Sequence, residues 1–135
     1  MLVNLTSTDK KIDNYSNFTD VASFARSVSD AEATRIVCSN FLCSFSQTDL
    51  PKVIELILKK MRMGAKLTIN EIDFESVDIE ATGCDQINSF LQQNSISLKS
   101  LLTLQYIESI IPKNFIVTNK GLDKINFSLT LERIQ

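Results

Sequence analysis

The chain contains no histidine and no tryptophan, and it has only three glycines, two prolines and three cysteines in 135 residues. Without histidine it lacks the commonest general base, the usual metal ligand and any Ser-His or Cys-His nucleophilic pair. The composition therefore excludes catalysis of those kinds and predicts no metal site. It also leaves no side chain that we assign as a catalytic group.

The cysteines are too few and too irregularly placed for a metal or disulfide framework. Cys38, Cys43 and Cys84 are odd in number and lack the CxxC spacing of zinc and redox sites. Cys38 lies in an apolar, strand-like run, and Cys84 begins a helical pattern. A free cysteine behaves mostly as a small hydrophobic residue, so we predict buried free thiols.

The chain also lacks a large excess of charge of either sign, and it lacks long apolar runs. Fourteen Lys and Arg against sixteen Asp and Glu leave a net charge of −2, so no global field attracts nucleic acid or an anionic membrane. No apolar run approaches the ~18 residues of a membrane span, and no charged-then-apolar segment opens the chain. We expect a cytoplasmic protein that binds neither nucleic acid nor membrane.

What the chain does contain is enough apolar sequence for one α/β domain over residues 1–135. Apolar types make up 44% of the residues, and eight phenylalanines are among them. No internal repeat or linker divides the chain. The hydrophobic pattern predicts a helix that begins at Thr19 or Asp20. It also predicts strands at 1–5, 15–18, 35–41 and 66–74.

The clearest element is an amphipathic helix in the middle of the chain. Pro51 is tolerated in its first turn, and Gly64 supplies a left-handed stop after it. A strand follows at once, so the strand–helix–strand succession predicts a βαβ unit with a parallel sheet and a right-handed crossover. The apolar stripe of the helix consists of Leu50, Val53, Ile54, Ile57, Leu58 and Met61.

The end of the chain predicts an antiparallel hairpin. Helical patterns at 87–91 and 98–111 precede two strands, at 115–117 and 125–131. In the last strand apolar and polar residues alternate strictly, as in a strand with one buried face. The apolar set is Ile125, Phe127, Leu129 and Leu131, and the polar set is Asn126, Ser128, Thr130 and Glu132.

Three segments of the chain together resemble one enzyme family. Met61–Leu67 (MRMGAKL) keeps one glycine and the leucine of an "LxPGGxL" turn, and Val37–Phe45 (VCSNFLCSF) is similar to an "ashvLEHf" segment. Asp9–Tyr15 (DKKIDNY) resembles a "kkidGy" run. The family is the class I S-adenosylmethionine-dependent methyltransferases, in particular their small type-11-like members. The resemblance implies an α/β, three-layer Rossmann-like fold with a mostly parallel sheet, a C-terminal antiparallel hairpin and a reduced helix set.

The resemblance implies S-adenosylmethionine as the cofactor, but the chain departs from the family where that cofactor binds. The family's first strand leads into a glycine-rich loop that lets backbone N–H groups approach the ligand. The family's second strand ends in an acidic residue, which corresponds here to Thr19, with Asp20 one position later. Position by position, the resemblance assigns cofactor binding, in a degenerate motif, to Thr6, Ser7, Thr8, Asp20 and Asn40.

Asp20 and residues 6–8 also have a purely structural interpretation. Asp20 fits a helix cap, and residues 6–8 fit a solvated loop as well as a remodelled pocket. Asn40 ends a predicted strand at the edge where open α/β sheets bind ligands, and the resemblance places it toward the substrate. Glu71 and Asp73 alternate along one strand, so they form a carboxylate pair in a cleft or mark a strand end that has reached solvent. We favour the second interpretation.

Three hypotheses about function follow. The first is a methyltransferase-like protein with weakened or lost S-adenosylmethionine binding; an active form would position the methyl acceptor against the sulfonium. The second is a non-catalytic pseudo-enzyme that assembles as a homo-oligomer or with a protein partner, since a reduced helix set leaves one sheet face undercovered. The third is a small phage-type accessory protein that binds a nucleotide-like metabolite without turning it over.

Overall fold

The computed structural model describes residues 1–73, 102–123 and 126–135. The strands in these ranges are β1 (Leu2–Thr6), β2 (Ser16–Phe18), β3 (Ala33–Ser39), β4 (Met61–Ile72), β5 (Phe115–Asp123) and β6 (Asn126–Arg133). The helices are α1 (Val21–Ser27), α2 (Leu50–Lys59) and α3 (Leu104–Ser109), with a 3₁₀ turn at Leu42–Ser44. The helical pattern at 87–91 and Cys84 lie outside the described residues.

The strands form one sheet in the order β2-β1-β3-β4-β6-β5. β1 pairs parallel with β2 and β3, and β3 pairs parallel with β4. β6 pairs antiparallel with both β4 and β5. The predicted α/β fold, with a mostly parallel sheet, a C-terminal antiparallel hairpin and few helices, is therefore confirmed.

The pairing register sorts the strand residues onto two faces of unlike chemistry, because paired residues share a face and neighbours along a strand alternate. The helix face is apolar and buried, and it carries Val3, Leu5, Ile36, Cys38, Leu67, Ile69, Phe127, Leu129 and Leu131. The polar face carries Asn4, Thr6, Ser39, Thr68, Asn70, Ser128 and Thr130.

The handedness of the connections explains why α1 and α2 pack on the helix face. The chain crosses from β2 to β3 through α1 and from β3 to β4 through α2, in the same direction across the sheet. Right-handed crossovers in one direction lie on one face. The buried residues Phe24 of α1 and Ile57 of α2 accordingly belong to one apolar cluster with Val3 and Leu67.

The connection from β1 to β2 runs in the opposite direction, so the same rule places it over the polar face. It consists of residues 7–15, which form bends and turns and no helix. The side-chain Nδ2 of Asn4 donates to the Lys10 carbonyl at 3.2 Å, which fastens this connection to the sheet. Helices that the structure describes thus cover one side of the sheet, and a short loop covers part of the other.

The predicted central helix is confirmed, whereas the role predicted for Gly64 is wrong. α2 buries the apolar stripe that the sequence predicts and carries Pro51 in its first turn. The helix ends at Lys59, and Met61 already belongs to β4. Gly64 has a φ of +82° inside that strand, beside a register irregularity in the pairing of β3 with β4. Its left-handed conformation therefore serves a strand irregularity rather than a helix stop.

β5 is an exposed edge strand of the sheet. Beyond Phe115, every residue of β5 is exposed, including Ile116, Val117 and Leu122. Its partner β6 alternates between buried and half-buried positions, as the sequence predicts. In the described ranges, no helix combines the length and the apolar character that a membrane crossing requires.

Candidate functional site

The candidate site lies at the carboxyl edge of the sheet, where the strand order reverses. β1 leads to β2 on one side, whereas β3 lies on the other side of β1, and open α/β sheets bind ligands in the crevice at such a point. Residues 6–8 end β1, Asp20 follows β2 and Asn40 follows β3. The structure therefore brings the ends of these three parallel strands, and the residues predicted from them, to one edge.

Residues 6–8 form a closed hydrogen-bond network. The hydroxyl oxygens of Thr6 and Thr8 lie 2.8 Å apart, and the backbone N–H of Thr8 donates to Thr6 Oγ1 at 3.2 Å. Thr8 Oγ1 in turn accepts the backbone N–H of Lys10 at 3.3 Å. Both threonines are buried, so the interpretation of a solvated loop is wrong for them. The Ser7 hydroxyl donates to the Asn40 carbonyl.

The loop that follows is held by Asn17, a residue that no motif in the sequence marks. Asn17 Oδ1 accepts Asn4 Nδ2 at 2.9 Å and the backbone N–H of Ile12 at 3.0 Å, and its Nδ2 donates to the Tyr15 carbonyl at 2.9 Å. Residues 7–15 are thus fixed as a turn and do not start a helix. In dinucleotide-binding folds a helix N-terminus at this place presents N–H groups to the ligand.

Asp20 is the N-cap of α1, as one interpretation of the sequence predicts. Its Oδ1 accepts the backbone N–H of Ser23 at 2.8 Å, and its Oδ2 accepts the Ser23 hydroxyl at 3.0 Å. These hydrogen bonds, first the one from the backbone of Ser23, lower the pKa of the Asp20 carboxyl. The side chain is exposed, and both of its oxygens are engaged by its own helix.

Asn40 makes the turn that leaves β3. Its φ of +51° is left-handed, a conformation that asparagine tolerates better than most residues. Its backbone N–H donates to the Asn70 carbonyl at 2.9 Å, which ties the end of β3 to β4. Its carbonyl accepts the Ser7 hydroxyl, so this one residue joins the ends of β1, β3 and β4.

A cleft of about 360 Å³ opens beside Asn40 at the carboxyl edge. Its lining comes from the ends of β3 and β4 and from the hairpin, and among the described residues it includes Asn40, Asn70, Gly121, Leu122, Asp123, Asn126, Phe127 and Ser128. A cavity of about 470 Å³ lies elsewhere, between α2 and residues 110–115, and its lining includes none of the predicted site residues. Of the predicted residues, Asn40 is the one that faces the cleft.

Glu71 and Asp73 are buried, so the interpretation of a strand end in solvent is wrong. Glu71 Oε1 accepts the backbone N–H groups of Phe41 and Leu42 at 2.9 and 2.6 Å. Asp73 accepts the backbone N–H of Leu104 at 3.4 Å. The two carboxyls therefore hold two different segments against the end of β4, which a linear sequence does not reveal.

The environment of Glu71 disfavours its charged form. Its Oε2 is buried and has no hydrogen-bond partner among the described residues. Burial raises the pKa of the Glu71 carboxyl to about 7, against the opposing effect of the N–H groups of Leu42 and Phe41. Burial, followed by the neighbouring Glu71 charge, also raises the pKa of the Cys38 and Cys43 thiols. Both cysteines are free and buried, as predicted.

The fold matches solved methyltransferase structures, whereas sequence comparison finds nothing. No protein-family model and no curated protein matches the chain. An S-adenosylmethionine-dependent methyltransferase from Methanosarcina mazei matches with a TM-score of 0.65 and 11% identity, over 98% of this chain and 92% of that one. One from Archaeoglobus fulgidus matches with a TM-score of 0.64 and 9% identity, over 98% and 85%.

A shorter overlap is found with a protein from Sulfolobus solfataricus that is assigned to the type 11 methyltransferases. Its TM-score is 0.57 at 13% identity, over 93% of this chain and 62% of that one. This chain therefore spans less than two thirds of the Sulfolobus protein. At such low identities the likeness shows the fold alone, and that fold is methyltransferase-like and Rossmann-like.

Proposed function

We propose that this chain is a methyltransferase-fold protein in which S-adenosylmethionine binding is weakened or lost, and that it works as a non-catalytic interaction protein. The observation that carries the proposal is the closed network of residues 6–8, followed by a connection without a helix. In the family, a glycine-rich loop at this place gives the cofactor access to backbone N–H groups. The solved relatives make S-adenosylmethionine the ligand to test.

The network opposes cofactor binding in two ways. The backbone N–H of Thr8 is bonded to Thr6 Oγ1, and that of Lys10 is bonded to Thr8 Oγ1, so a ligand would have to replace hydrogen bonds each worth about 1 kcal/mol net. The threonine side chains also occupy space that glycine leaves open for the close approach of a ligand. Asp20, the candidate ribose ligand, is engaged by Ser23.

Isothermal titration calorimetry with S-adenosylmethionine and S-adenosylhomocysteine tests this proposal. We expect no binding heat and no rise in melting temperature at ligand concentrations of about 1 mM, where binding would be worth roughly −4 kcal/mol. The folded state of the same sample is verified by a cooperative thermal transition. A dissociation constant of tens of micromolar or tighter, roughly −6 kcal/mol, would overturn the proposal and make the chain a candidate methyltransferase.

The partner of such an interaction protein is proposed to be a second copy of this chain. Two features of the described residues support association. First, α1 and α2 pack on one face of the sheet, and the loop of residues 7–15 covers part of the other face. Second, the edge strand β5 leaves Ile116, Val117 and Leu122 exposed. An exposed edge with apolar side chains is a template for pairing with another chain. The oligomeric state is therefore a direct test.

A further inference from the structure

The cleft beside Asn40 is lined by residues that strand pairing places side by side. Asn70 pairs with Ser128, and Ser128 pairs with Gly121, so these three residues form a row across β4, β6 and β5 on the polar face. Asn126 and Asp123 pair in the next row toward the carboxyl edge. The cleft is open to solvent, and its volume of about 360 Å³ lies at the small end of the range for ligand sites.

The polar groups of the lining fit a neutral ligand. Three asparagines supply amide groups that both donate and accept, Ser128 supplies a hydroxyl, and Asp123 supplies a carboxylate that accepts. Among the described lining residues there is no lysine or arginine, and their one charge is the Asp123 carboxylate, so these residues favour a neutral ligand over an anionic one. Hydroxyl groups suit this set because each of them can donate to the carboxylate and accept from an amide.

The lining is fixed in place by hydrogen bonds from outside the cleft. Asn70 uses one of its two Nδ2 protons on Ser39 Oγ, at 3.2 Å, which orients its side chain along the polar face. The backbone of Asn40 is held on both sides, by the Asn70 carbonyl and by the Ser7 hydroxyl. A site held in position before binding loses less conformational entropy when a ligand enters.

The geometry points to a binding site in this cleft for a neutral polyhydroxyl ligand of monosaccharide or nucleoside size. The hydroxyl groups of the ligand bond the side chains of Asn40, Asn70 and Asn126, and a pair of adjacent hydroxyls donates to Asp123. The inference does not rest on the loss of cofactor binding, because Asn40 is the one residue it shares with the predicted cofactor site, and residues 6–8 and Asp20 make no ligand contact in it.

Gly121 offers a way to close the cleft without disturbing the fold. A Cβ atom at Gly121 would meet no atom within 4 Å, and its φ lies outside the left-handed region, so Gly121→Phe places a ring in open space at the cleft. Asn119→Phe is the matched control, because it adds the same ring to the same strand. Asn119 pairs with Thr130 on the same face and is exposed, but it does not line the cleft.

Titration of ¹⁵N-labelled protein followed by NMR tests the inference with four probes: D-ribose, D-glucose, uridine and ribose 5-phosphate. We expect a neutral probe to shift the backbone amides of Asn40, Asn70 and Ser128 at millimolar concentration. Gly121→Phe should weaken this binding by at least about tenfold, and Asn119→Phe should leave it within about twofold of wild type. Ribose 5-phosphate should bind more weakly than ribose, because the described lining carries the Asp123 carboxylate and no cation.

The four probes distinguish two kinds of ligand that carry the same hydroxyl groups, namely a nucleoside and a free sugar. Shifts with ribose and uridine but not glucose support the ribose of a nucleoside, whereas shifts with glucose support a free sugar. The inference is overturned by the absence of shifts with every neutral probe, by unchanged binding in Gly121→Phe, or by tighter binding of ribose 5-phosphate than of ribose. None of these outcomes decides S-adenosylmethionine binding, since no probe carries its sulfonium group.

Discussion

At the scale of single residues, Glu71 shows how one buried carboxyl organises the carboxyl edge of the sheet. It accepts two backbone N–H groups from the segment after β3, while its second oxygen has no partner in the described part of the chain. Burial raises the pKa of Glu71 from 4.5 to about 7. Between these two pH values the Glu71 carboxyl is therefore protonated in the folded state and ionised in the unfolded state.

The sign of the resulting pH dependence follows directly. A raised pKa in the folded state means that the contribution of Glu71 to stability is fully present below pH 4.5 and is lost as pH rises toward 7. The loss in the free energy of unfolding is at most roughly 3 to 4 kcal/mol, since the pKa rises from 4.5 to about 7 and one pKa unit corresponds to about 1.4 kcal/mol. Urea denaturation from pH 4.5 to pH 8 measures it, and Glu71→Gln should flatten this part of the profile.

The exposed Glu55→Gln in α2 is the control for Glu71→Gln, because both variants remove one carboxyl. We expect Glu55→Gln to retain the pH dependence of wild type. An unaltered profile in Glu71→Gln would mean that Glu71 stays ionised in the folded protein.

At the scale of elements, Gly64 shows that a left-handed glycine does not reveal which element it serves. Its φ of +82° lies in β4, and a Cβ there would meet no atom within 4 Å. Gly64→Ala should therefore destabilise through backbone conformation alone, by about 1 kcal/mol. Gly121→Ala, which also faces open space but has an ordinary φ, should have little effect. Equal effects of the two variants in urea denaturation would contradict this account.

The elements that could be predicted from sequence are those fixed by local periodicity. The apolar stripe of α2 and the alternation of β6 each repeat within a few residues, and both predictions are confirmed. The end of α2 was harder to predict, because a glycine after a helix fits a helix stop and a strand irregularity equally well. The burial of Glu71 could not be predicted at all, since its partners lie about thirty residues away in sequence.

At the scale of the whole molecule, the arrangement of α1 and α2 on one face and the exposed edge of β5 lead to a prediction about association. Sedimentation velocity over about a hundredfold range of protein concentration should show a concentration-dependent dimer. Val117→Lys should shift the equilibrium toward monomer, because a lysine on an edge strand opposes pairing. Ser27→Lys adds the same charge on exposed α1 and is the control. A monomer throughout would rule out the second copy as partner.

The sequence by itself determined the class of fold, because the periods of α2, β4 and β6 specify which residues must be buried and hence which elements form. It also carries the resemblance that aligns residues 6–8 with the glycine-rich loop of the methyltransferases, on which the proposed loss of cofactor binding rests. The tertiary structure decided the conformation of this segment, through hydrogen bonds that join Thr6 to Thr8 and anchor residues 7–15. The cleft exists only in the tertiary structure, because strand pairing brings Asn70, Ser128 and Gly121 together from distant parts of the chain.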